Sequence, residues 1–259
     1  MQLSYTDAPP TSMPGMLVDT TMREIISRIV STQRLVQVDI NGADDGTFTI
    51  TIDGVVVATF AASSSTAGAI RDDLLADLVA SAAAIQAESL STASILIEGT
   101  DEDNDFTSAV NSTGTGGDIT QAELVAFGQE IPFGVGLVAD PRAAVEGNQA
   151  RLPRLAAEIT GGPFLGVSFR DSSIESNENG YPDKSAVPIV HRGRIYPLIE
   201  DPNDVTPEGM PAVYCRFAAG AGGTQLGAFR TDDDTASCAL VPNARYRFQA
   251  DGTPYIELF

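Results

Sequence analysis

Lysine is nearly absent from this 259-residue chain: Lys184 is the only lysine among 15 basic residues, which face 35 acidic ones. The formal net charge is therefore −20. A field of that sign repels the phosphates of nucleic acids and the anionic surface of a membrane, so we expect neither as a partner. The same charge favours solubility when many copies are crowded together.

Histidine and cysteine are also scarce. His191 is the single histidine, and Cys215 and Cys238 are the two cysteines. This set matches no known zinc-site spacing. We expect two free, buried thiols because the chain has no disulfide-dense pattern, and a Cys215–Cys238 bridge is the alternative.

Long apolar runs are missing too, since no stretch approaches the roughly 18 apolar residues that cross a bilayer. The first ten residues have neither the basic nor the apolar region of a signal peptide, which predicts synthesis and assembly in the cytoplasm. Hydrophobic residues still make up 43% of the chain, enough for the core of one large β domain or two ordinary domains.

No group of residues has the pattern of an active site. Gly166-Val167-Ser168 begins like a nucleophile elbow, but Arg170 stands where the closing glycine is required. His191 is expected to lie in a turn rather than to act as a base. Gly220–Gly223 precedes a strand pattern instead of a helix, so we interpret it as a loop and not a dinucleotide site. We therefore expect no catalytic residues and no cofactor.

Two acidic runs, Asp101–Asp105 and Asp232–Asp234, raise the question of calcium. The first starts like an EF-hand loop, but Phe106 replaces the glycine at position six and Ser112 the glutamate at position twelve. We expect acidic turns at both places, with calcium as the alternative.

Residues 1–19 have the composition of an extended arm, because three prolines block a helix. Such an arm carries apolar anchors but cannot form its own core, so we expect it to order against a neighbouring subunit. The predicted contact residues are Tyr5, Pro9, Met13, Met16 and Leu17.

Residues 20–121 are predicted to form a separate α+β domain with a βββαββ pattern. Thr21 and Glu24 have capping-box spacing, which predicts a helix over 20–34. Apolar and polar residues then alternate from Val36, Asp53-Gly54 marks a tight hairpin, and helical spacing follows over 67–86.

From residue 122 to 259 the helical spacing stops, and short strands are separated by glycine and proline turns. Many short strands predict a β-sandwich or barrel, so the whole chain is predicted to be mainly β. We expect a hairpin at His191–Gly193 and an exposed polar loop over 171–185.

The order of several sequence blocks resembles the structural cement (capsid decoration) proteins of tailed bacteriophages. These blocks are Ile-Pro-Phe-Gly at 131–134, Phe-Leu-Gly-Val-Ser-Phe-Arg-Asp at 164–171, Val-Pro-Ile-Val at 187–190 with Gly-Arg-Ile at 193–195, Pro-Ala-Val-Tyr at 211–214, and Val-Pro-Asn-Ala-Arg-Tyr at 241–246. Residues 20–121, which simpler members of the family lack, are interpreted as an inserted domain that is displayed outward.

The resemblance implies a non-enzymatic protein on the capsid exterior of a virion, with the major capsid protein and its own copies, as a homodimer or homotrimer, as partners. The arm and one end of the β domain would contact the shell. A tail or fibre protein that binds a host glycan through 171–185 or the insert is the alternative. A β-sandwich hydrolase or lyase is the third class, for which one specific carboxylate or His191 would be essential.

Overall fold

The computed structural model describes residues 14–18, 24–30, 32–41, 46–63, 65–100, 105–114, 117–140, 149–171, 179–206, 211–220 and 223–259. The chain forms two compact units, one made of Met1–Val30 with Glu130–Phe259 and the other of Ser31–Gln129. Both consist mostly of strands, which confirms the predicted fold class.

The strands and helices follow each other in this order: β1 Glu24–Val30, β2 Leu35–Asn41, β3 Gly46–Ile52, β4 Val55–Ala62, α1 Ala67–Ala80, β5 Ile85–Ser89, β6 Ser94–Gly99, β7 Ser108–Gly114, β8 Asp118–Val125, β9 Ile131–Pro132, β10 Gly136–Ala139, β11 Gln149–Arg151, α2 Ala156–Thr160, β12 Phe164–Ser168, β13 Gly180–Tyr181, β14 Ala186–Ile195, β15 Tyr214–Arg216, β16 Phe229–Arg230, β17 Cys238–Leu240, β18 Ala244–Phe248 and β19 Pro254–Leu258. A short 3-10 turn covers Pro202–Asp204.

Five strands of the first unit close into a barrel. β1 pairs in parallel with β11 and antiparallel with β14. β10 joins β11 to β12, and β12 pairs with β14, so the ring of pairings returns to its start. Val138, Val167 and Ile189, one from each of three strands, are fully buried. Closure satisfies the backbone groups that an open sheet edge would leave unpaired.

The predicted hairpin at His191–Gly193 is wrong, because these residues lie within the ten-residue strand β14. The chain does not reverse there: residues 186–190 pair with β1 and β12, and residues 193–195 pair with β19. The register with β1 skips His191, which is a β-bulge, and Gly193 has φ +133°. An extra residue and a permissive glycine bend a strand without ending it. The local sequence His191-Arg192-Gly193 is compatible with both a turn and a β-bulge.

The helix predicted over 20–34 is wrong, because this part of the chain contains strand β1. Residues 24–30 are extended and lie between β11 and β14. Ile25, Ile26, Ile29 and Val30 are β-branched and suit a strand, and the long-range pairing outweighs the local helical spacing. Thr21, the expected helix cap, lies outside the described residues.

β15, β16 and β17 form a small antiparallel sheet in the first unit, and its register settles the state of the cysteines. Cys215 lies opposite Ala239, and Cys238 lies opposite Arg216. Side chains of directly paired residues share a face, and successive residues alternate, so the two thiols point to opposite faces of the sheet. Both cysteines are free and buried, as expected, and the alternative bridge is wrong.

The second unit contains two antiparallel sheets, ordered β5-β6-β2-β8 and β4-β3-β7, together with α1. The predicted hairpin at Asp53-Gly54 is confirmed, since both residues have positive φ, 50° and 78°. The helix is shorter than predicted, because Ser81 caps it and Ile85 already begins β5. β8 was also not anticipated, so the observed order is βββαββββ rather than βββαββ.

One core joins these elements of the second unit. Alternate residues of β2 and β3 and one face of α1 are buried together with residues of β6. The residues are Val36, Val38, Ile40, Phe48, Ile50, Ile52, Ile70, Leu74, Leu78, Ile95 and Ile97. The period of two in the strands and of about 3.6 in the helix places these side chains on the same side of each element.

Candidate functional site

The described end of the arm, residues 14–18, runs along the end of β14. Gly15 and Val18 donate backbone hydrogen bonds to the carbonyls of Tyr196 and Arg194, and Tyr196 donates to Met16. Of the predicted contact residues, Met16 and Leu17 are half-buried there, and Leu17 bridges to Ile195. Tyr5, Pro9 and Met13 lie outside the described residues.

Two of the sequence blocks that carry the family resemblance, 131–134 and 164–171, meet around Gly15. The amide of Arg170 donates to the carbonyl of Gly15, and the amide of Gly134 donates to Ser168. A Cβ added to Gly15 would lie 2.8 Å from the Cβ of Phe133, and one added to Gly134 would lie 2.8 Å from the amide nitrogen of Gly15. Both glycines have positive φ. The blocks therefore form a socket in which only glycine lets the two backbones approach.

A row of arginines crosses the face of the sheet formed by β14, β19 and β18. Glu257 lies opposite Arg194 on one side and Arg245 on the other, so the three side chains stand on one face. Nε of Arg194 and Nε of Arg245 donate to its carboxylate at 3.0 and 2.8 Å. Arg247, two residues along β18, donates to it at 3.2 Å. Arg192, two residues before Arg194, extends the row.

Glu257 is the shared acceptor of this row. Partial burial pushes its pKa upward, but hydrogen bonds from Arg245, Arg194 and Arg247 outweigh burial and hold the pKa at about 2. The carboxylate therefore stays ionised at neutral pH and holds three guanidinium groups together against their mutual repulsion.

A groove with a volume of about 350 Å³ borders the row. His191 and Arg192 of β14 line one part of it, while Gly161 and Gly162 after α2, and Phe259 after β19, line others. Phe259 is 57% exposed, and the guanidinium carbon of Arg245 lies 5.1 Å from the centre of its ring. Cationic and apolar groups thus lie side by side on this surface.

His191 lies at the bulge in β14 and not in the turn that we expected. Its side chain is exposed, and Nδ1 donates to the carbonyl oxygen of Leu165 at 2.7 Å. This contact ties the bulge of β14 to β12.

The acidic runs make arginine contacts. Asp105 accepts hydrogen bonds from Arg34 at 2.7 and 2.8 Å, and those bonds lower the pKa of its carboxyl. Residues 101–104 lie outside the described part of the chain. Asp234 bonds to Arg216 at 2.5 Å, and Asp232 bonds to Arg230 at 2.8 Å. Within the described segments, no group of three or more His, Cys, Asp or Glu side chains is arranged to hold a metal ion.

Sequence reasoning did not find the arginine row, although a signal was present. Arg192-Gly193-Arg194 and Arg245-Tyr246-Arg247 each place two arginines on one face of a strand. The missing information is the register that aligns β14, β19 and β18, which no local pattern contains. Gly220 and Gly223, the described ends of the glycine cluster, exchange backbone hydrogen bonds and lie outside any helix, in agreement with the predicted loop.

Comparison with known proteins gives one family. A model described as "Structural cement protein (E217 gp24/Pam3 gp6)" matches residues 93–258. The match covers β9–β19 of the first unit and also β6–β8, the last three strands of the second. None of the helices in the described segments is long and apolar enough to span a membrane.

A solved structure from Mycobacterium phage Patience is similar at 15% sequence identity, over 61% of this chain and 54% of that chain, with a TM-score of 0.27. The chain thus spans about half the length of that structure, and so distant a likeness carries no argument. No curated protein sequence matches.

Proposed function

This chain belongs to the structural cement protein family, and we propose that it binds the outer surface of a phage capsid and cements neighbouring capsomers. Family membership makes it a structural protein of the phage virion. The observation that carries the proposal is the match over residues 93–258, which spans well over half of the chain.

The proposed mechanism is avidity. Each copy, as a homodimer or homotrimer, contacts the major capsid protein on more than one capsomer, so that one contact holds the protein close to the next. Area buried at each junction then opposes separation of the capsomers. A shell covered with such copies resists outward pressure even if each single contact is weak.

The arm is proposed to contribute part of that contact. Residues 14–18 are fixed to the barrel by the glycine socket, so the preceding residues leave from a defined point. An arm that orders on binding gains contact area at an entropic cost. Tyr5, Pro9, Met13, Met16 and Leu17 are its proposed contact residues.

Deletion of residues 1–13 tests the arm without disturbing the socket. We expect the truncated protein to keep its oligomeric state and melting temperature but to bind weakly to heads assembled without it, as measured by co-sedimentation. A second truncation, of residues 1–18, also removes the bonds to β14 and should lower the melting temperature. Unchanged head binding after the first deletion would contradict the role of the arm.

The second unit is proposed to be displayed outward, away from the shell. It carries two basic residues, Arg34 and Arg71, against fifteen acidic ones, a formal charge of −13. Such a surface repels other acidic surfaces and keeps decorated particles apart in suspension.

Quantitative mass spectrometry of purified virions tests the function itself. We expect a copy number equal to that of the major capsid protein or a simple fraction of it. A number smaller by one to two orders of magnitude would place the chain in the tail or fibre, where it would recognise a host glycan. Absence from the particle would overturn the structural role.

A further inference from the structure

We propose that the arginine row on β14, β19 and β18, with Phe259 beside it, is the surface through which the chain contacts carboxylate groups on the capsid shell. This inference rests on the proposed function, because it assigns a surface and a partner chemistry to the cementing contact. The row, named by its four members, is Arg192, Arg194, Arg245 and Arg247.

The distribution of exposed positive charge is the first support. Among the residues that the structure describes, Lys184 and three members of the row are the basic residues with exposed side chains; the fourth, Arg247, is 34% exposed. The other described arginines are buried or partly buried. A chain of net charge −20 is repelled by an acidic partner over most of its surface. The row is the place where attraction exceeds that repulsion.

The hydrogen-bonding capacity of the row is the second support. A guanidinium group carries five N–H donors, whereas a carboxylate offers about four lone-pair sites. Glu257 therefore accepts only a minority of the donors that Arg245 and Arg247 present. Nε of Arg192 lies 3.9 Å from the carboxylate of Glu24, and the Arg192 side chain is 66% exposed. Planar donors of this kind suit bidentate binding of carboxylates.

The apolar neighbour of the row is the third support. Phe259 is 57% exposed and lines a groove of about 350 Å³ that Arg192 also lines. Arginine and aromatic side chains are the types most enriched at the energetic centres of protein interfaces. An acidic protein surface with one apolar side chain for the groove fits this combination, whereas a phosphate backbone leaves the groove unused.

Charge reversal at Arg192 tests the proposal on the full-length protein, because this residue lies furthest from Glu257. Binding to heads assembled without the protein would be measured by co-sedimentation at about 0.1 and 1 M NaCl, where the screening length falls from roughly 10 to 3 Å. We expect Arg192→Glu to weaken binding about fivefold at low salt, and the difference to shrink at high salt. Arg192→Lys should bind with an affinity between those of the wild type and Arg192→Glu, because lysine keeps the charge but loses the planar pair of donors.

Lys184→Glu is the matched control, since it makes the same change in net charge at an exposed turn before β14. Equal loss of binding in both Glu variants would show a general charge effect and overturn the assigned surface. Unchanged binding of Arg192→Glu, in an experiment where the wild type binds normally, would also overturn the assigned surface. If Arg192→Glu instead changed only self-association, measured by sedimentation velocity, the partner would be a second copy and the shell assignment would fall. Failure of the wild type to bind heads would overturn the proposed function, and this inference with it.

Discussion

At the scale of single residues, Glu257 holds the neighbouring arginine side chains of a cationic surface together. Three guanidinium groups on neighbouring strands repel one another unless a negative charge lies between them. The carboxylate is mostly buried and accepts from all three, so its ionised form is favoured in the folded protein. Its effect on stability must therefore depend on pH.

We expect Glu257→Gln to destabilise the protein at pH 7 by more than at pH 2.5. The pKa of Glu257 is about 2 in the folded chain and 4.5 in its ordinary state, so its stabilising effect is complete above about pH 4.5 and is lost as the pH falls through 2. Thermal unfolding of both proteins from pH 7 to 2.5 measures this convergence.

Glu130→Gln, a change at an exposed glutamate just before β9, is the control for loss of one carboxylate. A difference between wild type and Glu257→Gln that stays constant across this pH range would show that the row does not depend on the charge of Glu257.

At the scale of elements, the barrel depends on one close approach between β12 and β14. Gly166 has φ +133°, and a Cβ at this position would lie 2.1 Å from the carbonyl oxygen of Val190. No side chain fits there unless the two strands separate. β14 also carries, in its register with β1, the bulge at His191, after which the strand pairs with β19 and so positions the arginine row.

Gly166→Ala should lower the free energy of unfolding by about 1–3 kcal/mol, the usual cost of forcing extra volume into a packed site. Gly162→Ala is the matched control, because Gly162 also has positive φ, +116°, but has no atom within 4 Å of an added Cβ. Denaturant titration compares the two variants. Equal losses would mean that backbone strain, and not the contact with β14, sets the cost.

The elements that could be predicted from sequence are those whose pattern is local. β2, β3 and the hairpin to β4 follow from strict alternation and Asp53-Gly54. β1 was mistaken for a helix because its isoleucines fit either period, and only pairing with distant strands decides between them. β5 and β8 were missed because they carry few apolar residues and owe their conformation to β6 and β2.

The residues of the candidate site also divide into those that a local sequence pattern predicts and those whose position depends on strand pairing. Predicted contact residues Met16 and Leu17 lie next to the socket that the family-like blocks build around Gly15, and their contact with a capsid stays a prediction. The arginine row could not be derived, because it combines residues from 192 to 247 through strand registers that the sequence does not state. This surface is determined by which strands pair and in what register. Composition alone indicated only an acidic protein.

At the scale of the whole molecule, charge is divided unevenly between the units. Ser31–Gln129 holds 15 of the 35 acidic residues but only two of the 15 basic ones. It also has its own apolar core and two sheets that pair only internally. We infer that it is an independent folding unit under electrostatic self-repulsion.

The isolated segment 31–129 should therefore fold cooperatively, and its melting temperature should rise with NaCl because salt screens like charges. Circular dichroism during heating at about 0.02 and 0.5 M NaCl measures both effects. The full chain with the arginine row intact serves for comparison and should respond less per residue. A spectrum without strand signal at either salt concentration would contradict independent folding.

The opposed orientation of the two cysteines has a consequence for a particle that leaves a reducing cell for an oxidising medium. Burial raises the pKa of Cys238 to about 12 and that of Cys215 well above its ordinary value, so little thiolate is present to react with oxidants. Because the thiols face away from each other, air cannot cross-link them within one chain. A change from reducing to oxidising surroundings therefore leaves this small sheet without an internal disulfide.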